Sequence, residues 1–380
     1  MRANYRKLLI GLVIVVALGA FAYHSRHKLH LADFTWKKFM HSVSLANIPL
    51  LLLALVGVYA CYALRAVRWQ RFSRYIGQCS FWETYSATLM GFASIFLFAR
   101  VGEPVRPLLL AQKSNTPVAG MFGIWVLERA FDFAAALLLF SISLLIFPHS
   151  LFDSGASGEW VDKARTGGWL LVVLLGGLVF GLVYFRLHGA GSLHRRLEGW
   201  RASHGWRKAF AGALGGFSEG LQAIRTIPDL LMAILYTALH WGLVVLIYQM
   251  VIRAFGDAFP FPMNYPGAML LLAVTLVGST LQLPGVGGGA QFASIIALTT
   301  IFGVDQEPAT AAAIALWLIT FCSCILVGIP LLIHQGFSLG KLWNLARAEA
   351  KAEDVGSHVP AKAVPHPAEH HSKAGEDSKK

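Results

Sequence analysis

Residues 266–303 read PGAMLLLAVTLVGSTLQLPGVGGGAQFASIIALTTIFG, an apolar run broken near its centre by Leu283-Pro284-Gly285-Val286-Gly287-Gly288-Gly289. The run is nearly twice the roughly 20 apolar residues that one helix needs to cross about 30 Å of hydrocarbon. Pro284 and four glycines within six residues cannot continue a helix. The stretch therefore reads as two apolar helices joined by a turn.

The rest of the chain has the same character. Of its 380 residues 56% are hydrophobic and only 14% charged, with a mean hydropathy of +0.58. An ordinary soluble domain is nearer a quarter charged. Eight apolar segments recur, at 8–23, 45–64, 83–99, 118–147, 168–186, 229–253, 266–303 and 309–335. The fold class that follows is an all-α polytopic membrane protein. The net charge of +12 sits mostly between the apolar runs. That pattern suits anionic headgroups and the positive-inside rule, not nucleic acid. Cys61, Cys79, Cys322 and Cys324 form no CxxC pair, and three of them lie in or beside apolar runs, so they read as small buried hydrophobes. The basic start from Arg2 to Lys7 precedes segment 8–23, which runs directly into the basic stretch from His24. A retained signal-anchor helix is expected.

Charge between the segments reduces eight to six crossings. With a cytoplasmic N-terminus, segment 45–64 returns inward, and Arg65, Arg68, Arg71 and Arg74 then read as a cytoplasmic loop. The loop 148–167 carries Asp153, Glu159 and Asp162 against Lys163 and Arg165, which reads as external. Both assignments hold if 83–117 enters from the cytoplasm, turns and leaves on the same side. The loop 187–228, rich in arginine, is then cytoplasmic, and Asp305 and Glu307 are external if 266–303 dips in from outside. The basic loop 24–44 is the position that fits least well. The expectation is six full transmembrane helices and two opposed re-entrant hairpins. They form helix–hairpin–helix units 45–147 and 229–335 of inverted orientation, a transporter signature. The membrane domain spans 1–345, and a disordered cytoplasmic tail, poor in hydrophobes, spans 346–380.

Three constellations could carry chemistry. The first is Arg100, Glu103 and Arg106 in the turn of the first hairpin, beside Gly102, Pro104 and Pro107. Charge and irregular backbone inside a bilayer persist only where paired or beside water. Two planar guanidinium forks suit a phosphate; an interfacial loop with snorkelling arginines is equally consistent. The second is Glu128, Arg129 and Asp132 within segment 118–147. Glu128 and Asp132 share a helix face, and Arg129 is three residues from Asp132. They line a cavity or brace two helices. The third is the break with Pro284, Gly285, Gly287 and Gly288, followed by Gln291. Exposed N–H groups there would make an uncharged anion site, and a tight turn explains the same glycines. His240, Gln249 and His334 read as interhelical hydrogen bonds, and Trp82, Trp169, Trp241 and Trp343 as interfacial anchors. No HExxH, P-loop, dinucleotide fingerprint or GxSxG is present, and 187–228 is too short for a catalytic domain. No enzyme activity, cofactor or metal is expected.

Together these stretches resemble the transmembrane region of lysylphosphatidylglycerol synthases, the flippase-like (YbhN-type) membrane family. The matching motifs are R-x-GE-x-x-R-P at Arg100 to Pro107, ERxxD at Glu128 to Asp132, and the glycine break at Pro284 to Gly289. An RxxRW-like stretch at Arg65 to Trp69 also matches, and the resemblance covers about 5–340. It implies translocation of a lipid between leaflets of the bacterial cytoplasmic (inner) membrane, with both termini cytoplasmic. The chain carries none of the soluble aminoacyl-transfer domain of the fused members, so lipid synthesis is not expected. Gln291 stands where the family usually has a glutamate, which points away from an aminoacyl-lipid. A phospholipid or a polyprenyl-phosphate-linked lipid remains. The partners implied are a phosphate-bearing headgroup and the bilayer, with a homodimer and a lipid-modifying synthase partner left open. Two rival readings remain, a membrane enzyme using Glu103 or Glu128 as acid or base, and a non-transporting scaffold for a cell-envelope synthase.

Overall fold

Four helix starts along this chain are fixed by side-chain caps. Asn47 accepts the Leu50 N–H ahead of α2 (Ile48–Ser73), which follows the short α1 (Trp36–Ser44). Ser80 and Glu83 close a capping box on α3 (Phe81–Phe98). A 3-10 turn, Ala99–Gly102, leads to α4 (Val105–Ser114), then α5 (Val118–Ile146) and α6 (Gly158–Tyr184). Thr226 and Asp229 box the start of α7 (Ile227–Arg253), and Asn264 caps α8 (Tyr265–Gly278). Proline at N1 or N2 of α2, α7 and α8 supports these starts, because the missing N–H is an orphan there anyway. Two short strands, β1 (Gln282–Leu283) and β2 (Gly287–Gly288), pair antiparallel across the glycine break. They are followed by α9 (Gly289–Ile296) with a π turn at Ala297–Ile301, α10 (Gln306–Trp317), a π turn at Leu318–Cys322, and α11 (Ser323–His334).

The computed structural model describes residues 34–116, 118–146, 158–184, 224, 226–260, 262–283 and 287–336. Segment 8–23, most of loop 187–228 and the boundary at 345/346 lie outside them. Among the described residues three helices are long and apolar enough to cross a membrane: Ile48–Ser73, Ile227–Arg253 and Gln306–His334. α5 has 29 residues but carries Glu128, Arg129 and Asp132 in its first half. The apolar segment expected to end at residue 64 continues as helix to Ser73. Arg65 and Arg68 are therefore helical and buried, not part of a cytoplasmic loop. The hydropathy drop at Arg65 marks charge inside the helix and not its end.

The distribution of polarity is inverted relative to a soluble bundle. Leu52, Leu53, Val56, Ile227, Leu231, Leu326 and Ile333 are exposed, while Arg68, Glu128 and Thr84 are buried. Apolar exteriors around a polar interior are stable where the surrounding solvent is lipid.

Contacts order the helices. Asn47 N donates to Ala254 O at 2.8 Å, Arg65 Nε to His240 Nε2 at 3.2 Å and Arg68 Nη1 to Thr237 Oγ1 at 2.9 Å. Arg74 pairs with Asp229. Residue numbers thus rise on α2 as they fall on α7, and the two helices are antiparallel. Two further contacts exchange between the halves. α5 packs on α8, and α11 packs on α3.

Each half also contains a helical hairpin. In the first, Arg106 on α4 lies against Gly91 on α3, and Gly77 before α3 lies against Ser114 and Thr116 after α4. Both arms therefore begin and end near the C-terminal end of α2. In the second, Thr275 Oγ1 and Ser294 Oγ are 2.9 Å apart, linking α8 to α9. Gln249 Nε2 and Arg253 Nε donate to Met263 O at 3.1 and 2.9 Å, which seats this hairpin's base at the C-terminal end of α7. That end lies beside the start of α2, so the hairpins enter from opposite ends. Their tips meet, with β1 against the Ala99–Gly102 turn.

Candidate functional site

A buried polar cluster joins four helices. Two turns of α2 present Arg65 and Arg68 on one face, three residues apart. Arg65 Nη1 donates to Glu128 Oε1 at 3.3 Å and to Asp132 Oδ2 at 3.1 Å. Arg68 Nη2 donates to Glu128 Oε1 and to Asp132 Oδ1, each at 2.8 Å. α4 adds Arg106, which pairs with Glu128 Oε2 and holds its guanidinium carbon 4.2 Å from the Trp69 ring centroid. Arg129 lies 3.5 Å from Asp132 and 3.7 Å from Glu128. α7 completes the cluster: Thr237 accepts from Arg68, His240 accepts from Arg65, and Trp241 Nε1 donates to Asp132 Oδ1 at 3.4 Å.

Glu128 and Arg68 are 1% exposed and Arg106 5%, whereas the Arg129 side chain is 41% exposed. Four guanidinium groups thus face two carboxylates. Charge out of water is costly unless paired, so the surplus positive charge favours an anion. It reaches a narrow cavity of about 20 Å³ walled by Glu103, Arg106, Arg129, Thr88, Phe92 and Trp125. That is room for about one water.

α3 is what allows Arg106 to reach this wall. A Cβ at Gly91 would sit 2.9 Å from the Arg106 Cβ, so a side chain there would push the arginine away. The turn between α3 and α4 is itself constrained. Ala99 has φ 51° and ψ −139°, a conformation L side chains rarely adopt. A Cβ at Gly102 would fall 2.2 Å from Ser94 O.

The structure brings Glu103, Arg106, Glu128, Arg129 and Asp132 together. Glu128 and Asp132 brace α5 to α2 and α4, and Arg129 lines the cavity, so the two alternatives for this motif divide between its residues. The backbone of Arg100 lies in the 3-10 turn at the hairpin tip; its side chain, like Pro284 and Gly285, lies outside the described residues. Gly287 and Gly288 form β2, and Gln291 Oε1 accepts the Gly288 N–H at 2.7 Å. Gln291 therefore caps its own helix. None of these three lines the Arg106 cavity. Arg65 and Arg68 were missed as site residues; their signal was the RxxRW spacing. His240 and Gln249 make the interhelical or loop hydrogen bonds expected of them, whereas His334 is exposed. Trp241 is 8% exposed and bonded to Asp132, so it is no interfacial anchor. Among the described residues no group of three or more His, Cys, Asp or Glu side chains is placed to hold a metal ion.

Comparison with known proteins adds one result. The family model described as Lysylphosphatidylglycerol synthase TM region matches residues 8–328. No curated protein matches the chain.

Proposed function

Because this chain belongs to the lysylphosphatidylglycerol synthase transmembrane-region family, we propose that it is a flippase-like transporter moving a phospholipid or polyprenyl-phosphate-linked lipid between leaflets. The observation that carries this reading is the surplus of buried arginines beside a cavity walled by Arg106, Arg129 and Glu103, within an apolar-surfaced bundle. Arg106 and Arg129 bind the phosphate, and Glu103 shapes the entrance. Glu128 and Asp132 hold the arginines in place, while the acyl or prenyl chains stay in lipid.

Six spans with two opposed re-entrant hairpins form the frame. Antiparallel α2 and α7 and the exchanged α5–α8 and α11–α3 contacts support an inverted repeat. Arg71 and Arg74 support a cytoplasmic placement of the first hairpin's base, in a bacterial inner membrane with both termini inside. A cavity for about one water admits no headgroup, so the hairpins part before the lipid enters.

The test is a leaflet-specific quenching assay in proteoliposomes, run with labelled phospholipids and labelled polyprenyl phosphate. Losing one charge-assisted contact weakens binding about tenfold or more. Arg106→Ala and Arg129→Gln should slow translocation by at least that factor. Rates equal to wild type across every lipid class would sink the assignment. Because Arg129 is half exposed, its variant should keep the wild-type melting point, which separates lost transport from lost folding.

Glu103 supports a second reading. Among the described residues it has no hydrogen-bonding or ionic partner, and a free carboxyl on a cavity wall suits an acid or base acting on a lipid-linked substrate. Mass spectrometry of membrane lipids incubated with the protein distinguishes the two. Only unchanged lipids support transport.

A further inference from the structure

A second cavity, unrelated to the Arg106 cluster, opens where the C-terminal turn of α2 meets the start of α7. It has a volume of about 150 Å³, several times that of the Arg106 cavity, and is lined by Arg71, Phe72, Arg74, Pro228, Asp229 and Met232. One wall is a fixed latch. Arg74 pairs with Asp229, and its guanidinium carbon lies 4.5 Å from the Tyr75 ring centroid. Tyr75 Oη donates to Asp229 Oδ2 at 3.1 Å, and the Thr226 N–H donates to the same oxygen at 3.1 Å. The Asp229 carboxylate is therefore taken up by the latch, and it offers nothing to Arg71.

Arg71 is exposed and, among the described residues, has neither an ion-pair nor a hydrogen-bond partner. The Arg74 Nε–H is buried without an acceptor. The cavity thus offers an unpaired guanidinium against a saturated carboxylate. Its rim is apolar. Ile227, Leu231 and Met232 are exposed one turn along α7, on surface that faces acyl chains in a membrane. A cationic recess at the boundary between apolar helix surface and helix end lies where lipid phosphates sit.

We infer that the Arg71–Arg74 recess binds a phosphate group, supplied by an anionic phospholipid headgroup or by free phosphate. Arg71 contributes the charge, and the latch keeps Arg74 from folding back onto it. This site is separate from translocation and stands whether or not the chain moves lipid. It places that phosphate at the rim of the α2–α7 pair.

The test is binding to the purified full-length protein in neutral detergent, followed by microscale thermophoresis. The probes are short-chain phosphatidylglycerol, short-chain phosphatidylcholine and inorganic phosphate. Phosphatidylglycerol should bind in preference to phosphatidylcholine, and Arg71→Gln should weaken it about tenfold or more. Arg129→Gln, at the other cavity, should leave at least that Arg71-dependent component in place. If inorganic phosphate competes at equal concentration, free phosphate is the ligand; if only the lipid binds, the headgroup is. Equal affinity of wild type and Arg71→Gln for all three probes overturns the site. So does a component lost in Arg129→Gln and kept in Arg71→Gln. Exposed Arg71 supports no packing, so its variant folds normally, which an unchanged melting point verifies.

Discussion

Replacing Glu128 with glutamine keeps its volume and removes one charge from the centre of the cluster. Glu128 serves Arg65, Arg68 and Arg106. Arg65 and Arg68 retain Asp132, at 3.1 and 2.8 Å. Arg106 does not, since Glu128 is its one carboxylate among the described residues. The cost therefore falls on Arg106, 5% exposed, left buried with an uncompensated charge. Breaking a buried pair in this way costs about 3–5 kcal/mol. Removing both partners costs far less, so Glu128→Gln combined with Arg106→Met should recover most of the loss, with a coupling energy of about 2 kcal/mol. Equilibrium unfolding in mixed detergent micelles, with sodium dodecyl sulfate as denaturant and tryptophan fluorescence as readout, measures both quantities. A single-variant loss below about 1 kcal/mol, or additivity within about 0.5 kcal/mol, would refute the brace.

Other positions give cheaper tests by the same unfolding measurement. Gly328→Ala places a Cβ 2.5 Å from Leu89 O, so α11 and α3 must separate, at a cost of about 1–3 kcal/mol. Gly176→Ala meets nothing within 4 Å and should stabilise α6 by about 0.5–1 kcal/mol. Ala99→Gly removes a side chain from a position with φ 51° and should stabilise the hairpin turn by about 1 kcal/mol; a loss would contradict the turn geometry. Ser80→Ala removes half of the box on α3 and should cost about 1 kcal/mol.

Much of this was legible in the sequence because the signals were local. The glycine-rich break in 266–303 announced two helices and not one, although α8 already stops at Gly278, and Glu128 and Asp132 declared a shared face by their spacing. Arg65 and Arg68 escaped because the carboxylates that neutralise them lie some 60 residues on, at Glu128 and Asp132. Read locally, two arginines at the end of an apolar run obey the positive-inside rule. Only the fold shows that their desolvation is offset by partners from another helix. Gln291 has a local role that its place opposite a family glutamate did not reveal: its Oε1 accepts the Gly288 N–H three residues back. Trp241 escaped for a related reason, since an indole suits a membrane interface and a buried carboxylate equally well.

The meeting of the two hairpin tips has an electrical consequence. On the re-entrant reading, each hairpin reaches only to mid-depth from its own side, so wet surface approaches the tips from both faces. The membrane voltage then falls across the short contact between the Ala99–Gly102 turn and Gln282–Leu283, not over the full bilayer. An elementary charge moved through that gap exchanges about 2.3 kcal/mol per 100 mV with the field. On the proposed transport reading, the passage of a phosphate past the tips is thereby tied to the sign and size of the membrane potential.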